Sequence, residues 1–451
     1  MTLAGCSDAG KPAEGELGFI SGFLGGVAAD EPRAALNGRD VLSAGGNAVD
    51  AAVAVFFTMA VTRPSLVGLD SDGQCVVYDQ KSKRVEAIDF TGAPGVPGAP
   101  RGMYALHAKY GHLRWEQMVA PAENLARFGF PVSRGFARDL AAASATLAAN
   151  PSLARLYVGP SGRAPIEGER MSQLDLAATI SLLRRAPGQF YGGGFLQSYI
   201  DGAAADGIVI SADAMRSYAP QFREPIQVKQ DLLVSYFAPT PGGAIAARMW
   251  SALATEGQYH RTAPAARGAL IADAQAKAVA QASPGVSELP IGASQAGASF
   301  VVADQDSNTV ACAFTMGKLF GTGKVAGDTG IVIAAPATGG EAFAVAPMLT
   351  INPIVNKMYF AAAGSNGAPA PAAEVQAGLE TMIEGKALAD AVALPRSHWI
   401  SAGRVATEPQ ISLGSINAFF CPKGLLSPGA EKPDIFCSVA TDGRGYGLAT
   451  R

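Results

Sequence analysis

Charge is scarce in this chain. Only 16% of its 451 residues are Asp, Glu, Lys or Arg, and 35 basic residues stand against 38 acidic ones, a net of -3. With no basic stripe and no aromatic-basic cluster, nucleic acid is not an expected partner. Histidine (4) and cysteine (5) are also few, and no CxxC or His/Cys spacing gathers them. No resident metal and no cofactor are therefore expected. No apolar run after the N-terminus reaches the roughly 18 residues that span a bilayer, and residues 51–61 read as a core helix. What the chain has instead is hydrophobic mass, 49% of its residues, enough for a large core. Glycine (53) and proline (29) are spread along it, as in a loop-rich α/β enzyme fold rather than a linker.

The first residues stand apart. Leu3-Ala4-Gly5-Cys6 resembles a bacterial lipobox and runs into a polar stretch from Ser7 to Glu16. The expectation is a lipid on Cys6, a tether over residues 1–24, and a single domain over residues 25–451. That places the chain in the bacterial cell envelope, on the periplasmic side, touching membrane only through the anchor. Cys75 and Cys312 sit in apolar β-runs and read as small buried residues. Cys421 and Cys437 flank a Pro/Gly-rich loop and are candidates for a disulfide in an oxidising space.

Along the chain, residues 25–29 read as a strand and residues 33–43 as a helix stopped by Gly45-Gly46. Asn47 with Asp50 three positions on forms a capping box for the next helix, whose residues 51–61 are apolar on every side and so belong inside the core. Strands follow at 74–78 and 86–90. Val301-Val302 and Val310-Ala311 mark two further short strands, and the polar residues from Asp304 to Asn308 form the turn between them. Residues 261–298 are rich in Ala, Gln and Ser with weak periodicity and read as a surface connector.

This hairpin, with Phe300-Val301-Val302-Ala303-Asp304 and the later Phe320-Gly321-Thr322-Gly323, resembles the start of the small subunit in γ-glutamyltransferases, which are N-terminal-nucleophile hydrolases. Gly45-Gly46-Asn47-Ala48-Val49-Asp50-Ala51-Ala52 is similar to another motif of that family, and Gly129-Phe130-Pro131-Val132 and Thr240-Pro241-Gly242-Gly243 continue the likeness. The resemblance implies an α/β (α+β) fold, a four-layer α-β-β-α sandwich. It also implies a division into a large-subunit-like part, residues 25–296, and a small-subunit-like part, residues 297–451.

The same alignment of motifs puts the family's chemistry in question. The position of the catalytic threonine falls on Gly297, which has no hydroxyl to attack the preceding peptide bond. The family's glycine-rich run holds Leu69, Asp70, Ser71 and Asp72, and the arginine that clamps a substrate carboxylate is missing where Thr91-Gly92-Ala93-Pro94 stands. The family's amine-binding acidic pair becomes Ala334-Ala335-Pro336, and its serine pair becomes Ala346-Pro347. An oxyanion-like turn survives in Gly364-Ser365-Asn366-Gly367, with Gly367 and Ala368 in place of two glycines. The expectation is a γ-glutamyltransferase-like envelope protein without autocleavage, transferase or hydrolase activity, which binds a small molecule or peptide or serves a structural role. Two alternatives stand beside it. One is an active N-terminal-nucleophile amidohydrolase or acylase using Ser299 on a non-γ-glutamyl substrate; the other is a regulatory protein partner of an active paralogue.

Overall fold

The strands alternate in where their side chains go, and this alternation builds the molecule in layers. In the strand Gly297–Asp304, Phe300 and Val302 join one hydrophobic cluster with helices, while Val301 and Ala303 join a second cluster between two sheets. In Thr309–Thr315, Val310, Cys312 and Phe314 face the helices, and Ala311 faces the opposing sheet. Period-two alternation of this kind, with both faces apolar, requires a layer on each side of the sheet.

In the computed structural model, which describes residues 25–158, 162–289, 291, 296–336, 344–409, 411–425 and 437–451, the layers are two antiparallel sheets covered by helices. The first sheet runs in the order Leu448–Thr450, Gly25–Ala29, Gly297–Asp304, Thr309–Thr315, Asp72–Asp79, Arg84–Asp89, Gln221–Arg223. The second runs Ser438–Thr441, Ser415–Phe420, Lys357–Ser365, Ala346–Asn352, Leu233–Phe237, Ile226–Gln230. Three apolar clusters fill the three interfaces: helices on the first sheet, sheet on sheet, and the second sheet on its own helices. This is the expected four-layer α-β-β-α sandwich. Both sheets take strands from both halves of the sequence, interleaved in the first and side by side in the second.

The helix Ala48–Thr62 has every residue buried, as its uniformly apolar sequence requires. Its N-terminus carries the expected capping box: the Asn47 side chain accepts from the amides of Val49 and Asp50, and Asp50 accepts from the Asn47 amide. Its two buried threonine hydroxyls, Thr58 and Thr62, donate to carbonyls one turn back, so neither lacks a partner.

Two sequence expectations change. Residues 261–298 are no simple surface connector, because Arg267–Ala282 is a helix whose Ile271, Ala274, Ala278 and Val279 are packed in the core on the second sheet. Cys75 and Cys312 are not merely small buried residues: they are directly opposed on neighbouring strands and joined by a disulfide. Cys421 and Cys437 form a second disulfide. Cys6 and the expected tether lie outside the described residues.

Candidate functional site

The position on which the family's nucleophile falls opens the strand Gly297–Asp304. Gly297 is the cross-strand partner of Thr315, and Thr315 is the partner of Asp72, so the three stand in one row at one end of the first sheet. At the usual strand spacing, Asp72 lies about 10 Å from Gly297.

The carbonyl of Ala296, which belongs to the peptide bond before Gly297, is held by two donors. Thr315 Oγ1 donates at 2.8 Å and the Met316 amide at 3.1 Å. Thr315 Oγ1 in turn accepts from the Gly317 amide at 2.9 Å. The carbonyl is therefore polarised, while Gly297 itself has no side chain to attack it. A Cβ on Gly297 would lie 2.7 Å from the Phe314 carbonyl oxygen and 3.0 Å from the Asn366 amide nitrogen. Both contacts are with backbone, so a side chain at this position would require main chain to shift.

Asn366 belongs to the oxyanion-like turn read from the sequence, and the structure brings that turn against Gly297. Asn366 and Gly367 both have positive φ, 67° and 99°, and the Asn366 amide nitrogen lies beside the head of the strand. Gly367 passes its carbonyl to the Ala370 amide, and Ala368 is fully buried at the entrance to the helix Ala370–Met382.

Ser299, the fallback nucleophile, lies two positions on, on the same inter-sheet face. Its hydroxyl donates to the Ala363 carbonyl at 2.8 Å and accepts from Asn417 Nδ2 at 3.0 Å, and its amide donates to Asp30 Oδ2 at 2.8 Å. Ser365 and Ser415 also reach Asp30 Oδ2, at 3.3 and 3.4 Å. Burial raises the Asp30 carboxyl above its ordinary range, against the lowering effects of the Ser299 amide, Arg63 and Asn417. Sequence reading missed this cluster of Asp30, Ser299, Ser365, Ser415 and Asn417. Its members come from four separate segments of the chain, Ser415 and Asn417 sharing one strand, and no local motif marks them.

A cavity of about 210 Å³ opens at the Asp72 end of the row. Asp70, Asp72, residues 91–96 and residues 334–336 line it. Sequence comparison had singled out these three segments separately: the refilled glycine run, the place of the missing arginine, and the place of the missing acidic pair. Here they are one site. Asp70 Oδ2 accepts from the Ala334 amide at 2.9 Å, and Asp72 Oδ1 from the Gly92 amide at 3.0 Å. Burial raises both carboxyls, Asp70 well above its ordinary value and Asp72 to about 6. The wall over residues 91–96 is a closed turn: Val96 donates to the Ala93 carbonyl, and a Cβ on Gly92 would lie 2.3 Å from the Val96 carbonyl oxygen. Tyr199 and Tyr191 pin it from behind by donating to the carbonyls of Gly95 and Pro97 at 3.0 and 2.6 Å. Arg101 does not enter the cavity; it stacks 3.7 Å over the Tyr191 ring and donates to the Tyr218 carbonyl. Among the described residues no group of three or more His, Cys, Asp or Glu side chains is arranged to hold a metal.

The Gamma-glutamyltranspeptidase family model matches residues 34–94 and 91–284. Glutathione hydrolase 3 of Arabidopsis thaliana is 29% identical over 255 residues, 50% of this chain and 40% of that protein. The Acylase ACY 1 proenzyme of Pseudomonas sp. (strain V22) is 31% identical over 251 residues, 48% of this chain and 44% of that protein. The match thus spans less than half the length of either relative. The crystal structure of a cephalosporin acylase from Bacillus halodurans superposes with a TM-score of 0.77, covering 99% of both chains at 20% identity, which speaks to fold. On the extent of the family match, the chain is a member of the gamma-glutamyltranspeptidase family.

Proposed function

We propose that this member of the family neither cleaves itself nor hydrolyses or transfers amides, and that it works as a binding protein of the bacterial cell envelope, held there by a lipid on Cys6. The observation that carries the reading is the packing at Gly297. The residue lacks a hydroxyl, and a Cβ there would crowd the Phe314 carbonyl oxygen at 2.7 Å and the Asn366 amide nitrogen at 3.0 Å unless backbone shifted. Loss of an essential nucleophile removes about 10⁶-fold in rate. The fallback is weak on the same ground of geometry. Ser299 is fully buried, and its hydroxyl is already spent on the Ala363 carbonyl. The two disulfides support an oxidising compartment.

The test is a direct assay of the purified protein with γ-glutamyl-p-nitroanilide and with a short panel of acyl p-nitroanilides, with and without glycylglycine as acceptor. Release no faster than buffer supports the proposal. Turnover abolished by Ser299→Ala overturns it in favour of an acylase.

A further inference from the structure

The acidic cavity at the end of the Gly297 row names the kind of ligand, and this step deepens the binding reading above. Asp70 is only 3% exposed. One of its carboxylate oxygens is taken by the Ala334 amide, and the other has no donor among the described residues, although the residue lines an open cavity. Asp72, half-buried beside it, has one oxygen bound to the Gly92 amide and no donor to the second among the described residues. Buried carboxylates are ordinarily paired or fully hydrogen-bonded, because an unpaired one is costly. No Lys, Arg or His side chain lines the cavity to compensate them. Among the described residues these carboxyl groups have no cationic partner.

We propose that the cavity binds a small organic cation: a primary ammonium or guanidinium group on a short aliphatic stem that carries no carboxylate. An ammonium offers three donors to the free oxygens of Asp70 and Asp72, and its charge-assisted bond to the ionised Asp72 is of the strong kind. The volume, about 210 Å³, is below the roughly 300–1,000 Å³ of pockets for drug-sized ligands. That suits a ligand of a handful of heavy atoms rather than a peptide. A carboxylate on the ligand would find no cation in the lining, so free amino acids are disfavoured. A divalent metal fits less well, since it takes about six or more oxygens at 2.0–2.6 Å, and the described lining residues offer two carboxylates. Asp72, held near 6 by burial, is ionised at neutral pH and supplies the attraction.

Isothermal titration calorimetry on the intact protein at pH 7.5 and low salt, with 1,4-diaminobutane as the probe, tests this. The expected result is saturable one-to-one binding, none for the isosteric 1,4-butanediol, and a tenfold or greater weakening in Asp70→Asn and in Asp72→Asn. Both amides can keep the backbone bond at their site, and a cooperative unfolding transition at pH 5 with a midpoint no lower than the parent's confirms that each variant folds. Ala93→Trp, at an exposed position on the cavity wall, should weaken binding similarly without touching either carboxylate. The proposal is overturned if diaminobutane gives no saturable heat. It is also overturned if the variants bind like the parent, or if calcium or magnesium binds where the amine does not. An active enzyme that bound diaminobutane would sink the previous proposal and spare this one; an inert protein that failed to bind would do the reverse.

Discussion

Replacing Cys75 and Cys312 together by alanine should destabilise the protein more than replacing Cys421 and Cys437 together. The two bonds close loops of very different length, with sequence separations of 237 and 16. A cross-link acts largely by restricting the unfolded chain, and that restriction grows with the logarithm of the loop it closes. The chain-entropy relation gives about 5 kcal/mol for the long loop and about 3 kcal/mol for the short one. All four cysteines are buried, so the loss from truncating the side chains is similar in the two variants and largely drops out of the comparison. The quantity to measure is the difference, roughly 2 kcal/mol. Equilibrium unfolding in guanidinium chloride, read by fluorescence and circular dichroism under non-reducing conditions, supplies it. Equal losses, or a larger loss on opening the short loop, would refute the reasoning.

Three further substitutions probe the site. Gly297→Thr should leave the chain uncleaved and lower its stability by about 1–3 kcal/mol, because the new Cβ meets backbone on two sides; self-cleavage of this variant on incubation would show that the space is open after all. Ser299→Ala should lower stability by about 1–3 kcal/mol, since the Ala363 carbonyl and Asn417 Nδ2 lose a buried partner; an unchanged denaturation midpoint would count against the inter-sheet cluster. Asp72→Asn should flatten the dependence of stability on acidity. The Asp72 carboxyl is raised from 3.8 to about 6 in the fold, chiefly by burial and further by Asp89, with Asp70 and Tyr218 as its other titratable neighbours. The folded state therefore holds this proton more tightly than the unfolded chain, and stability falls as pH rises from about 4 to about 6. Removing the charge should recover at most about 3 kcal/mol at pH 7, read from urea midpoints of both proteins at pH 4, 5, 6 and 7. Asp304 titrates near 6 as well but is present in both, so it leaves the difference unaffected.

Local signals carried much of the fold. The Asn47 and Asp50 cap, the all-apolar helix behind it and the strand pair around the turn at Asp304 are each set by residues a few positions apart, and each formed as read. What escaped was non-local or weakly patterned. The bond from Cys75 to Cys312 depends on the register between Asp72–Asp79 and Thr309–Thr315, which sets residues 237 positions apart directly opposite each other. The helix Arg267–Ala282 was hidden by its own composition, since alanine and glutamine favour a helix while leaving only a thin apolar stripe. The site was legible in pieces: Leu69 to Asp72, Thr91 and Ala334 each stood out, but only the packing of three loops makes them one cavity.

The measurement that goes most directly to the central claim is the intact mass of the purified protein after prolonged incubation, taken on reduced and unfolded chain. Reduction matters because the bond from Cys75 to Cys312 joins residues on either side of Gly297 and would hold a cut chain together. The account predicts one uncleaved species. Two fragments, the second beginning at Gly297 or at Ser299, would contradict it.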